Sequence, residues 1–102
     1  MLNHVVLVGR LVKELEVKES ENGVKYSDIT IAVPRSYKNV DGEYDTDFIN
    51  CIVWQGISEQ AKEYCHKGDI IGIKGRIQSN NNEMQIIAEK LTFLSTNRKE
   101  QE

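Results

Sequence analysis

Thr46-Asp47-Phe48-Ile49-Asn50-Cys51-Ile52-Val53-Trp54-Gln55 is the stretch from which the rest of this chain can be read. β-Branched and aromatic side chains dominate it, and neither glycine nor proline interrupts it, so it predicts a strand. Alternate side chains of a strand point to opposite faces. Ile49, Cys51 and Val53 then share one face, and Phe48, Asn50, Ile52 and Trp54 share the other. Both faces are largely apolar. A half-exposed strand needs only one such face, so the second must meet another layer, a second subunit or a ligand.

Phe48 and Trp54 stand six residues apart on that second face, about 20 Å along an extended strand. Two readings compete for them. Large aromatics commonly fill cores, and both rings can be ordinary core. Flat rings at either end of a strand, with a polar Asn50 between them, also make a platform on which nucleobases can stack.

The remaining composition narrows the choice. A chain of 102 residues makes one small domain with a modest core. It is 39% hydrophobic and 28% charged, ordinary for a water-soluble protein. No apolar run has the length of a membrane-spanning helix, and no basic segment followed by a hydrophobic one opens the chain, so a cytoplasmic protein with no membrane contact is expected. Cys51 and Cys65 fit that compartment as reduced thiols, with Cys51 in the core. Cys65-His66 lacks a second Cys or His at ligand spacing, so no metal and no cofactor are expected. A net charge of −3 weighs against a nucleic-acid binder, whose domains are often basic. The location of the charges decides that question, because a single-strand binder draws much of its energy from stacking.

Residues 3–13 read as a first strand, with Val5 and Leu7 facing one way and Val6 and Val8 the other. Gly9 inside it marks a bulge or bend of the kind a small barrel needs. Glu14 to Glu21 is acidic and exposed, and Asn22-Gly23 is a hairpin turn. A second strand follows from about Val24 to Arg35, with Ile29, Ile31 and Val33 on its apolar face and Tyr26, Asp28, Thr30 and Ala32 on the other. Pro34 ends regular pairing or sits at an edge. Residues 36–45 form a polar tip turning at Asp41-Gly42, where Tyr37, Tyr44, Arg35 and Lys38 gather. This composition is either incidental or suits a stacking clamp on an arm.

Beyond the central strand, Ile57, Ala61, Tyr64 and Cys65 recur at helical spacing and predict a helix over about 57–66. Ser58 reads as its N-cap, and Gly68 as its C-terminal stop. Asp69 to Ser79 is a further strand, with Ile71, Ile73 and Ile77 inward and Lys74, Arg76 and Gln78 outward. Asn80-Asn81-Asn82 turns the chain into a last strand, Met84 to Leu94. The order is β-β-β-α-β-β. An all-β, five-stranded Greek-key barrel of the oligonucleotide-binding (OB) type, with one short helix between its third and fourth strands, fits that order over residues 1–95. Residues 96–102 are a short polar tail.

Several segments in register resemble the bacterial single-stranded DNA-binding proteins: Asn3 to Leu11, Asn22-Gly23-Val24, Asp47 to Trp54, Tyr64 to Gly68 and Gly75 to Gln78. The resemblance covers about residues 2–94. It implies sequence-nonspecific binding of single-stranded DNA, protecting it in replication, recombination, repair or competence, with bases stacked on Tyr37, Phe48 and Trp54. Strand parity places Asn50 among these rings and Arg35, Lys38, Lys74 and Arg76 near them as phosphate contacts, with His4 and Arg10 as secondary candidates. The resemblance also implies a homo-oligomer, a homotetramer or a dimer, built through the first strand and the outer sheet faces. Valines on both faces of residues 5–8 call for a partner independently.

The chain departs from the family pattern twice. The hairpin at Ser79 to Gln85 is short and carries asparagines where members place another aromatic. The long tail with an acidic, Phe-terminated tip is missing, so partner docking through such a tip is not expected of a chain ending at Glu102. Rival readings are a primosomal-type OB protein and an OB module for protein–protein contact. Catalysis is not expected, since no nucleophile–base set or phosphate-cradling loop occurs and the acids Asp45 and Asp47 show no basic partner in the sequence.

Overall fold

The computed structural model describes residues 1–95; the expected polar tail, 96–102, lies outside the described residues. Six strands and one helix follow in chain order: β1 Val5–Leu11, β2 Val17–Glu19, β3 Lys25–Lys38, β4 Tyr44–Trp54, α1 Ile57–Tyr64, β5 Ile70–Asn80 and β6 Glu83–Ser95. The sheet order is β1-β5-β6-β4-β3-β2, and a further β1–β3 pairing brings the sheet round on itself. Five strands therefore close a barrel, as the sequence predicts, and only β4–β6 pair in parallel. β2 is an addition: three residues of the acidic segment pair with the start of β3 across the Asn22-Gly23 turn.

The barrel closes where β1 runs from β5 onto β3. Arg10 and Leu11 face Ala32 and Ile31 there. A side chain on Gly9 would come within 2.8 Å of the Ala32 carbonyl oxygen, so the crossing needs a bare Cα. The core is the inward parity of each strand: Leu11, Ile29, Ile31, Cys51, Val53, Ile71 and Ile73 are fully buried. Leu15, inside the segment expected to be exposed, turns in to join them. An apolar residue beside a barrel opening is withdrawn from water whatever the charge of its neighbours.

The helix packs on the core through Ile57 and Ala61 and is shorter than its periodicity predicts. Its chain enters through Gly56 with φ at 93°, and no side chain caps it. Ser58 is thus not the N-cap. It is buried, and its hydroxyl lies 2.6 Å from that of buried Ser27, so each satisfies the other. Ala61 and Cys65 are buried as expected, whereas Tyr64 is exposed and meets Phe93 at the rim, ring centroids 5.8 Å apart. The following turn is zipped to the end of β1: Gly68 donates to the Leu11 carbonyl and Leu11 donates to that of Asp69, each at 2.8 Å. Ile77 also departs from its inward assignment. It is 44% exposed, because β5 has by then left the barrel for the β5–β6 hairpin.

Both thiols are buried and unpaired with one another. Desolvation pushes Cys51 up to about 12; Cys65 goes up to about 11, mainly by desolvation with a contribution from the Asp69 charge. A thiol reagent at pH 8 should therefore find no reactive cysteine in the folded protein and two once denaturant is added. Rapid labelling of Cys51 in the native state would contradict this placement.

Candidate nucleic-acid interface

Opposite residues of neighbouring strands carry side chains on the same face, so the strand register maps the outer surface. Along β3 and β4 the outward pairs are Tyr26–Trp54, Asp28–Ile52, Thr30–Asn50 and Ala32–Phe48. Ile52 faces Ile87 of β6, and Ile87 faces Arg76 of β5. Asp28, Ile52, Ile87 and Arg76 thus form one row across four strands. A depression of about 380 Å³ lies over this row, between the Tyr26–Trp54 pair and the Gln78, Asn80 and Gln85 side chains of the β5–β6 hairpin. A second depression continues it past Asn50 and Thr30 to Lys13 and Met84. Together they make a groove along the outer face of β4.

The rings of the central strand are not core. Trp54 is 41% exposed and Phe48 66% exposed, one beside the groove and one beyond its far end. Trp54 rests against Tyr26, centroids 5.1 Å apart and planes 46° apart, which leaves its other face open. Tyr37, 62% exposed, lies on the arm formed by the outer ends of β3 and β4. Regular pairing breaks between Pro34 and Lys38, where the proline has no N–H to give. The arm tip is held by Asn39, whose Oδ1 accepts from the Asp41 and Glu43 amides at 2.9 and 3.0 Å.

The polar residues divide into those brought to the groove and those drawn elsewhere. Asn50 lines it, with its Oδ1 accepting a 2.6 Å hydrogen bond from the Thr30 hydroxyl. Arg76 flanks it, ion-paired with Glu89 at 2.9 Å. Lys74 lies on the outer face of the β1–β5–β6 sheet, between Val6 and Lys90. His4 is exposed just ahead of β1, near Arg76 by register. This follows from Asn3, which grips both backbone polar groups of Ile77 at 2.8 and 2.9 Å. Arg10 is turned away, donating to the Gly68 carbonyl at 2.7 Å.

Lys38 sits 5.8 Å from the centre of the Tyr44 ring. Arg35 is held by two carboxylates, Asp47 at 2.9 Å and Asp45 at 3.8 Å. The acids that show no basic partner in the sequence therefore have one, from the neighbouring strand. Asp47 stands opposite inward-facing Val33, so Arg35 points to the side of the arm away from Phe48. Its hydrogen bonds hold the Asp47 carboxyl below the usual range, and the guanidinium is raised in return.

Of the groove-lining residues, the sequence alone points to Trp54 and Asn50; those it does not assign to the site include Tyr26, Ile87, Gln85 and Lys13. Tyr26 was open to detection, since it shares the outward parity of Asp28 and Thr30. Ile87 and Gln85 were not, because only the parallel β4–β6 pairing carries β6 to this face. Among the described residues no group of three His, Cys, Asp or Glu side chains is placed to hold a metal ion. None of the described helices is long and apolar enough to cross a membrane.

A closed five-stranded Greek-key barrel, its helix lodged between the third and fourth barrel strands, and a ring-bearing groove across its outer face define an OB-type protein. The chain belongs to the single-strand binding protein family, whose model matches residues 2–94. It is 43% identical over 103 residues to the single-stranded DNA-binding protein of Halalkalibacterium halodurans, a match covering 92% of this chain and 61% of that protein. It is 44% identical over 85 residues to single-stranded DNA-binding protein 1 of Streptococcus pyogenes serotype M18, covering 83% and 65%. It is 42% identical over 79 residues to single-stranded DNA-binding protein B of Bacillus subtilis, covering 78% and 70%. The chain spans about three-fifths of the length of the first two relatives.

Proposed function

We propose that this protein binds single-stranded DNA without sequence preference, laying unpaired bases on Trp54, Phe48 and Tyr37 and contacting phosphates from the cations around them. The observation that carries this reading is the exposure of two large rings, Phe48 and Trp54, along one face of a strand whose other face is buried in the core at Cys51 and Val53. A soluble protein gains nothing in stability from leaving such rings wet. Each stacked base contributes roughly 1–3 kcal/mol, a value typical of such platforms in this family and carried over to this chain. Three rings would then give a gross term of about 3–9 kcal/mol before ordering costs. Base-edge readout is secondary, because every base offers a flat face. The β5–β6 hairpin presents amides to the groove in place of another ring, which supports a short contact length.

Assembly is the second part of the reading. β1 pairs with β5 along Val5 to Arg10, but meets β3 only at Arg10 and Leu11. One edge of β1 is therefore open beside Val6, 73% exposed, and Val8. An open edge flanked by valines suits pairing with a second copy of the chain, and a homotetramer or dimer would place several weak platforms on one strand. The working compartment is the cytoplasm, and replication, repair, recombination or competence is the setting.

Titrating the protein with oligo-dT tests the binding reading. Trp54 fluorescence should be quenched, and log affinity should fall with log salt by about 0.7 per phosphate contact. A duplex of the same length should compete poorly. Unquenched fluorescence together with no binding at low salt would refute the proposal and favour an OB module that contacts protein.

A further inference from the structure

Two cations flanking the Trp54 end of the groove, Lys18 and Arg76, are each engaged by a carboxylate of the same chain. Lys18 Nζ lies 3.0 Å from Asp28, and Arg76 lies 2.9 Å from Glu89. Asp28 stands opposite Ile52, and Arg76 opposite Ile87, so one ion pair lies on each side of the apolar floor. Glu89 follows Ala88, which pairs with Val53, so it comes one residue beyond the last β4–β6 pair, at the Trp54 end of β4. The bulge between Lys74 and Gly75 gives β6 one extra residue at this point, and that extra residue is Glu89. All four charged side chains are solvent-accessible, so exchange of partners involves no burial.

Resting on the single-strand reading above, the geometry points to Glu89 and Asp28 as affinity-limiting residues that hold Arg76 and Lys18 in the places a phosphate would otherwise take. A strand entering the groove displaces carboxylate with phosphate and gains only the difference between two charge-assisted contacts. Added salt weakens the phosphate contact and the competing carboxylate contact together, so the two effects on affinity offset. The groove thus binds with a shallower salt dependence than its cations imply.

The test uses oligo-dT titrations of the full chain at several salt concentrations. Glu89→Gln should tighten binding by about two- to fivefold at low salt, the scale of one exposed ion pair. It should also steepen the salt slope by about 0.7, one phosphate contact on a single strand. Glu63→Gln, at an exposed position of α1 outside the groove lining, removes the same charge and reports the general effect of net charge. In an Arg76→Gln background, the gain from Glu89→Gln should vanish. Equal effects of Glu89→Gln and Glu63→Gln, or a gain that persists without Arg76, would overturn the inference. A wild-type protein that ignores oligo-dT would instead sink the function on which it rests.

Discussion

Replacing Gly75 with alanine is expected to cost this domain about 3 kcal/mol or more, the upper range for forcing atoms into a packed interior. Gly75 sits between Val5 of β1 and Ala88 of β6, at the bulge where β5 changes register. A Cβ there would overlap the Ile87 carbonyl oxygen and lie 2.9 Å from its carbon and 3.1 Å from the Ala88 Cα. These are backbone atoms in a sheet ladder, and no side-chain rotamer relieves the clash. For a domain near 100 residues, about 4–8 °C of melting temperature goes with each kcal/mol. Thermal unfolding of Gly75→Ala should fall by roughly 12–24 °C on that scale. Gly72→Ala is the comparison, since the nearest atoms to its added methyl are 3.6 Å away. Similar melting temperatures for the two variants would show that the bulge can give.

The largest effect on binding is expected at Trp54. Trp54→Ala should weaken binding to oligo-dT by roughly 5- to 150-fold, the equivalent of one lost stack of about 1–3 kcal/mol. Its ring is partly exposed and packs on Tyr26 rather than in the barrel interior, so the melting temperature should change little. Phe48→Ala should act in the same direction with the same small effect on stability, and Trp54→Phe should recover part of the loss. A Trp54→Ala protein that melts far lower, yet binds normally per folded molecule, would mean that the ring serves the fold.

Much of the barrel was legible because alternation is a strong signal. Ile29, Ile31, Cys51, Val53, Ile71 and Ile73 are buried on the parity the sequence shows. The Asn80-Asn81-Asn82 turn was equally legible: Asn81 and Asn82 both adopt positive φ, at 54° and 69°, a conformation asparagine tolerates. The errors share one physical cause. Ile77 and Tyr64 carry the right period for the core but sit at the rim of the barrel, where they stay about half exposed, Tyr64 meeting Phe93. Ser58 has the chemistry of a cap but is claimed by Ser27, thirty-one positions away. Periodicity reports which way a side chain points and is blind to whether anything waits there.

The candidate site divides in the same way. The sequence alone determined that β4 is apolar on both faces, that Phe48, Asn50 and Trp54 share one of them, and that the elements follow in barrel order. All three follow from local chemistry and a period of two residues. Only the tertiary structure decided which face is wet, that Tyr26 backs Trp54, and that Ile87 floors the groove through the one parallel pairing. It alone also decided that Arg35 and Arg76 meet carboxylates from neighbouring strands. Each of these depends on contacts between distant segments, because closing the barrel sets the cross-strand neighbours and no local pattern records them.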